Sequence, residues 1–179
     1  MKKLDAEALL KLIRSRRSIR KFKPYKVSKR ELGMILEAAR WAPSGLNVQP
    51  WQFIVVQDKE KIAQLARHIM LKLPYSSSEL KNAACVIAVI KTIPTRSYEI
   101  GAAIQNMLLV THSLGLASCW VGSFNKKAVS KLLKIPPLKE LLYLVIIGKP
   151  AEKPKKNRKP LSKIAFSEEY GNKALKLNL

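Results

Sequence analysis

The spacing of apolar positions changes several times along the chain, and each change marks a predicted element. Ala6, Leu9, Leu10 and Ile13 recur at helical spacing and predict a short helix over Asp5–Ser15. Ser28 is an N-cap, with Glu31 three residues on to complete a capping box. The helix it opens carries Leu32, Ile35, Leu36 and Ala39 on one face and ends near Trp41. Gln52–Gln57, with Phe53, Ile54, Val55 and Val56, predicts a strand. Asp58 caps a third helix through Ile62, Leu65, Ala66 and Ile69 to about Lys72. After a polar break at Pro74–Ser78, Ala84–Ile90 is a continuous run rich in β-branched residues, the pattern of a strand buried on both faces.

A second break, Thr92–Ser97, precedes the longest helical pattern, Tyr98–Leu114. Its apolar residues Ile100, Ala103, Ile104, Met107, Leu108 and Val110 run nearly all round, which predicts burial in a core or a subunit interface. Gly115 closes it. Leu116–Val121, ending in Gly122, and Leu141–Ile147, closed by Gly148, predict two further strands. Between them Lys126–Leu133 is a short helix stopped by Pro136-Pro137. From Lys149 to Lys159 there are six basic residues, one Glu and two prolines, a composition that reads as an extended arm. Ile164, Phe166 and Tyr170 follow, so the arm is expected to pack on something. No internal repeat or linker divides the 179 residues, and one domain is expected over 1–179, with 149–179 as its arm.

Composition adds a strong bias. Thirty-four basic residues against 12 acidic give a net charge of +22, which favours anionic partners. Charge alone keeps a basic nucleic-acid-binding protein in view, although no nucleic-acid motif accompanies it. Cys85 and Cys119 sit in apolar runs without metal spacing and read as reduced core thiols of a cytoplasmic protein. His68 and His112 have no ligand-spaced partners, so no metal is expected. No apolar run approaches the length of a membrane span. The carboxylates are scattered, and neither a P-loop nor a Rossmann glycine pattern is present.

Two stretches carry candidate chemistry. Arg16-Arg17-Ser18-Ile19-Arg20-Lys21-Phe22 follows the first helix and alternates as an extended segment, placing Arg16, Ser18 and Arg20 on one side. Guanidinium forks beside a hydroxyl suit a phosphate monoester, because paired donors meet paired oxygens. A basic surface turn would share that composition. Ala42-Pro43-Ser44-Gly45-Leu46-Asn47-Val48-Gln49-Pro50-Trp51 is a loop whose amides both donate and accept, as a flat heterocycle requires. It would equally serve as an ordinary helix-to-strand turn.

Taken in order, these stretches resemble the FMN-dependent nitroreductase family. The resemblance continues through Gly101-Ala102-Ala103-Ile104-Gln105-Asn106 and Leu114-Gly115-Leu116, then Cys119-Trp120-Val121-Gly122, then Gly148-Lys149-Pro150 with Lys156-Asn157-Arg158-Lys159-Pro160-Leu161. It implies a three-layer α+β fold, a mixed central sheet flanked by helices, and an intertwined homodimer with FMN at the interface. It implies that Arg16, Ser18, Lys156 and Arg158 hold the FMN phosphate and ribityl chain. Arg17 belongs to the same motif, with a side chain that can point away. Arg20 would stand near flavin N1 and O2, Val121 and Gly122 near N5. Pro43, Ser44, Asn47 and Gln49 would reach the ring of the partner's flavin. The activity implied is ping-pong hydride transfer from NADH or NADPH to a nitroaromatic or quinone-type acceptor.

Flavin fragmentation and reductive dehalogenation belong to the same family and stand as alternatives. A flavin-carrying or structural dimer without turnover is another. Two departures matter. Val121 replaces an acidic residue of some larger members, and Ser76–Glu79 offers no counterpart to their Asn and Lys contacts. The short breaks near Pro74 and before Tyr98 leave no room for substrate-capping helices and imply an open pocket.

Overall fold

The computed structural model describes residues 5–70, 77–94, 97–155 and 157–172. Five helices and five strands alternate along them: α1 Ala6–Ser15, β1 Phe22–Lys23, α2 Lys29–Arg40, β2 Trp51–Val56, α3 Lys59–Ala66, β3 Cys85–Lys91, α4 Tyr98–Ser113, β4 Ala117–Val121, α5 Lys126–Leu132 and β5 Glu140–Pro150. β5 is the hub of the sheet. It pairs antiparallel with β3 from Cys85↔Ile147 to Lys91↔Glu140, with β4 from Ala117↔Gly148 to Val121↔Leu144, and with β1 at Phe22↔Pro150. β2 lies outside β3, also antiparallel. Parallel pairing is confined to the Ser18–Ser118 bridge, so the mixed character expected of the sheet is limited to that point among the described residues.

The α+β, three-layer expectation holds, because β3 and β5 are buried on both faces. Cys85, Ile87, Val89, Val145 and Ile147 join Ile35 and Ala39 of α2 and Ile100, Ile104 and Met107 of α4 in one core. Val86, Ala88, Ile90, Leu144 and Ile146 join Ile62 and Leu65 of α3 and Val129 of α5 in the other. Two apolar faces require two layers of cover, and the helices supply them. α4 is central even within one chain, with no residue from Glu99 to His112 fully exposed.

Local chemistry sets the element ends. Asp5 caps α1 by accepting from the Glu7 N–H. Ser28 and Glu31 form a reciprocal capping box. Removing it in Ser28→Ala is expected to lower stability by about 1 kcal/mol. Urea unfolding should show this as a lower midpoint with an unchanged slope; an unmoved midpoint contradicts it. α4 ends in a Schellman motif: Gly115 has φ +69°, its N–H donates to His112 O, and Leu116 N–H donates to Thr111 O.

Some boundaries differ from the sequence expectation. α3 stops at Ala66 because the chain then turns to pair with the segment after β4, through the Ile69–Phe124 bridge and the Met70 N–H on Ser123 O. Lys72, its expected end, lies outside the described residues. β5 runs three residues beyond Ile147, because Lys149 and Pro150 pair with β1. In the arm, the Phe166 and Tyr170 rings meet at a tilt with centroids 5.4 Å apart, while Ile164 and Tyr170 stay exposed. Cys85 and Cys119 are free and buried. Burial pushes the Cys85 thiol up to about 12 and also raises Cys119, so neither is a reactive thiolate.

Candidate functional site

The basic segment leaves α1 by an abrupt change of backbone. Arg16 N–H still donates to Leu12 O, but the residue is already extended at φ −60°, ψ 136°. Side chains then alternate. Arg17 folds back, its Nη1 donating to Arg14 O at 2.6 Å and Arg16 O at 2.9 Å, which caps helix carbonyls. Arg16 points elsewhere, and its Nη1 is buried with no hydrogen-bond partner. Burial, then Arg158 and Arg17, lower its proton affinity. A guanidinium still keeps its charge under such pressure. Ser18 sits in the bridge to Ser118, and buried Ile19 donates its N–H to Ser118 O at 3.0 Å.

Arg16 and Arg17 share a cavity of about 440 Å³ with Ile13, Arg14, Gln105 and Arg158. Four arginines and one amide line it, and no carboxylate does. Like charges gathered without an acid are unfavourable unless an anion joins them. The N-terminal motif and the C-terminal arm therefore meet, with Arg16, Arg17 and Arg158 lining one cavity. Lys156 lies outside the described residues.

Arg20 stands farther along the same extended segment, close enough to β4 to act electrostatically on Cys119. Its backbone N–H and that of Lys21 both donate to Glu152 Oε1, at 2.6 and 3.1 Å. Val121 ends β4 buried, and Gly122 follows it exposed. A Cβ on Gly122 would meet only Tyr143, at 3.5 Å, an ordinary contact, so packing inside the chain does not demand glycine there.

The amide loop is separate. Pro43, Asn47 and Gln49 are exposed, Ser44 is half-buried, and none lines the arginine cavity. Its backbone is strained: Leu46, Asn47 and Gln49 have φ of 50°, 55° and 48°. Such strain persists only where surroundings hold it and concentrates at functional sites. Here Ser44 Oγ accepts the Gln49 N–H, Gln49 Nε2 donates to Asn47 O, and buried Glu99 accepts the Gly45 N–H at 2.9 Å.

The Nitroreductase family model matches residues 13–97 and 80–149. This chain belongs to the nitroreductase family. A protein of Archaeoglobus fulgidus provisionally named NADH dehydrogenase/NAD(P)H nitroreductase is 33% identical over 157 residues, covering 82% of this chain and 87% of the relative. An FMN reductase [NAD(P)H] of Bacillus subtilis is 29% identical over 186 residues, covering 92% and 75%. A provisionally named nitroreductase from Desulfovibrio desulfuricans, solved in complex with FMN, superposes with TM-score 0.79 at 31% identity, covering 94% of this chain and 99% of that one.

The family match ends at residue 149, so the placement of Arg158 is independent of it. Three residues of this nitroreductase's site escape sequence reasoning. Gln105 is one of few polar residues inside an apolar helix. Glu99 is an acid at the start of that helix. Glu152 is the single acid between Lys149 and Lys159. Each is out of keeping with its neighbours, which was the available signal.

Proposed function

We propose that the protein is an FMN-dependent oxidoreductase that works as a homodimer. The observation that carries this is the buried, partnerless Arg16 Nη1 in a cavity lined by arginines from both ends of the chain. A phosphate monoester supplies the missing acceptors and the missing negative charge, so the residues fit FMN. The FMN complex of the Desulfovibrio relative supports the same cofactor.

Arg16, Ser18, Lys156 and Arg158 hold the phosphate and ribityl chain, with Arg17 bracing the helix end behind them. When bound, FMN supplies hydride transfer through N5, from NADH or NADPH to an electron-poor nitroaromatic or quinone-type acceptor in separate half-reactions. Arg20 provides a fixed cation at the N1–C2=O edge, where charge gathers on reduction. Val121 and Gly122 present backbone rather than bulk to the ring. Pro43, Ser44, Asn47 and Gln49 of the partner subunit close the ring edge, which accounts for a strained, exposed loop that does not line the chain's own arginine cavity. The arm, residues 149–179, packs on the partner and covers Ile164 and Tyr170. The positive field of the chain draws anionic nicotinamide cofactors to the site.

Purified protein is expected to be yellow, to release FMN on denaturation and to scatter as a dimer. A colourless protein that cannot be reconstituted with FMN overturns the proposal, and a flavin-loaded monomer removes its interface site. Arg158→Ala should weaken FMN binding about 10- to 100-fold. An unchanged dissociation constant in fluorescence titration removes Arg158 from the phosphate site.

A further inference from the structure

Glu152 is placed where it can govern Arg20. It stands just beyond the end of β5, where the arm begins. Ala151 N–H donates to Lys21 O at 2.9 Å, extending the β1–β5 pairing by one bond. Glu152 Oε1 then accepts two consecutive backbone donors, Arg20 N–H at 2.6 Å and Lys21 N–H at 3.1 Å, from a segment 132 residues earlier. Hydrogen bonds to an ionised acceptor are about twice as strong as neutral ones. Arg20 is set in a short extended segment between the Ser18–Ser118 bridge and the two-residue β1. The Lys21 ammonium is tied separately, to Glu79 at 3.1 Å. In a chain with a net charge of +22, an acid here also sets how much positive field Arg20 projects.

We propose that Glu152 is a positioning residue for Arg20, its carboxylate clamping the Arg20–Lys21 backbone to the root of the arm so that the guanidinium stays at the flavin ring edge. The inference rests on the FMN site proposed above. It also makes the arm serve both ends of the cofactor, with Arg158 at the phosphate and Glu152 behind the ring edge.

Three readouts test it on the full-length protein, using Glu152→Ala and Glu152→Gln. Glutamine keeps an oxygen that can accept both N–H groups but removes the charge. By hydrogen exchange, the Arg20 and Lys21 amides should open about 10- to 100-fold faster in Glu152→Ala, and near the wild-type rate in Glu152→Gln. FMN affinity should fall about tenfold in the alanine variant and recover in the glutamine one. The midpoint potential of bound FMN should be more negative in Glu152→Ala than in Glu152→Gln, because both lack the charge and only the first releases Arg20. In an Arg20→Ala background that difference should vanish. If Glu152→Ala does not fold, Glu152→Asp, which keeps the charge and withdraws the acceptor, takes its place. Wild-type exchange rates in the clamp-breaking variant overturn the clamp. Equal potentials for the alanine and glutamine variants overturn the positioning role. A wild-type protein that takes up no FMN overturns the cofactor reading itself, and exchange still reads the clamp separately.

Discussion

Arg16→Ala is expected to weaken FMN binding about 10- to 100-fold without lowering the stability of the FMN-free protein. Most substitutions of a buried group lose both. Arg16 is different because its Nη1 is buried with no partner and Arg158 and Arg17 repel it. In the FMN-free protein the side chain is therefore a burden relieved by truncation, apart from the packing of its stem. With phosphate present the same atom gains a charged acceptor. The two signs should separate in paired measurements, with FMN titration by fluorescence and thermal melting before and after loading. Arg16→Lys should recover only part of the affinity, since an ammonium lacks the paired fork. Equal affinity in Arg16→Ala and wild type would mean that the phosphate binds elsewhere.

Gly148→Ala should damage stability and cofactor binding together. Gly148 pairs with Ala117 in β5, and the Phe22 ring lies directly over it. An added Cβ would stand 2.7 Å from Phe22 Cδ1, 3.0 Å from Cγ and 3.2 Å from Cβ. The near edge of the ring and its root are both too close for a simple rotation to relieve. Phe22 is buried in the core and belongs to β1, so the clash pushes on the strand that follows Arg20. Overpacking of this kind costs about 1–3 kcal/mol, and a chain of this size loses about 2–4 °C in Tm per kcal/mol. FMN affinity should drop in parallel because Arg20 and Ser18 move with β1. A variant that melts and binds FMN as wild type would show that the ring yields freely.

Much of the framework could be read from one-dimensional patterns. β3 announced itself because a strand buried on both faces has no polar alternation, and all but its last residue are buried. The Ser28–Glu31 box and Gly115 were legible because caps are local, made within a few residues of the chain. β1 was not legible. Two residues inside a cationic run carry no periodicity, and only the register with Lys149 and Pro150 makes them a strand. The early end of α3 was hidden for the same reason, since Ile69 fits a helical pattern but is taken by Phe124.

The site divides similarly. Residue types in the basic segment pointed to phosphate, but its meeting with Arg158 is a long-range event that spacing alone does not encode, and it was anticipated through family resemblance. Glu152 was masked by the composition around it, because a single acid among the six basic residues of Lys149–Lys159 looks like dilution rather than design. The strain at Leu46, Asn47 and Gln49 had no sequence signature, as two of the three are not residues that favour positive φ.

The position of β5 in the sheet has a consequence for how the protein is made. It is the last strand among the described residues, yet β1, β3 and β4 all pair with it. While the chain is still on the ribosome, β2 and β3 can form a pair, but β1 and β4 have no strand to join. One edge of β3 stays open until residues 140–150 emerge. The sheet therefore cannot be completed until β5 has been made, in the slow regime of distant contacts where exposed strand edges invite aggregation. A chain cut short before Glu140 would lack the strand that unites the sheet, and interrupted translation would yield a product for chaperones and proteases rather than a smaller working enzyme.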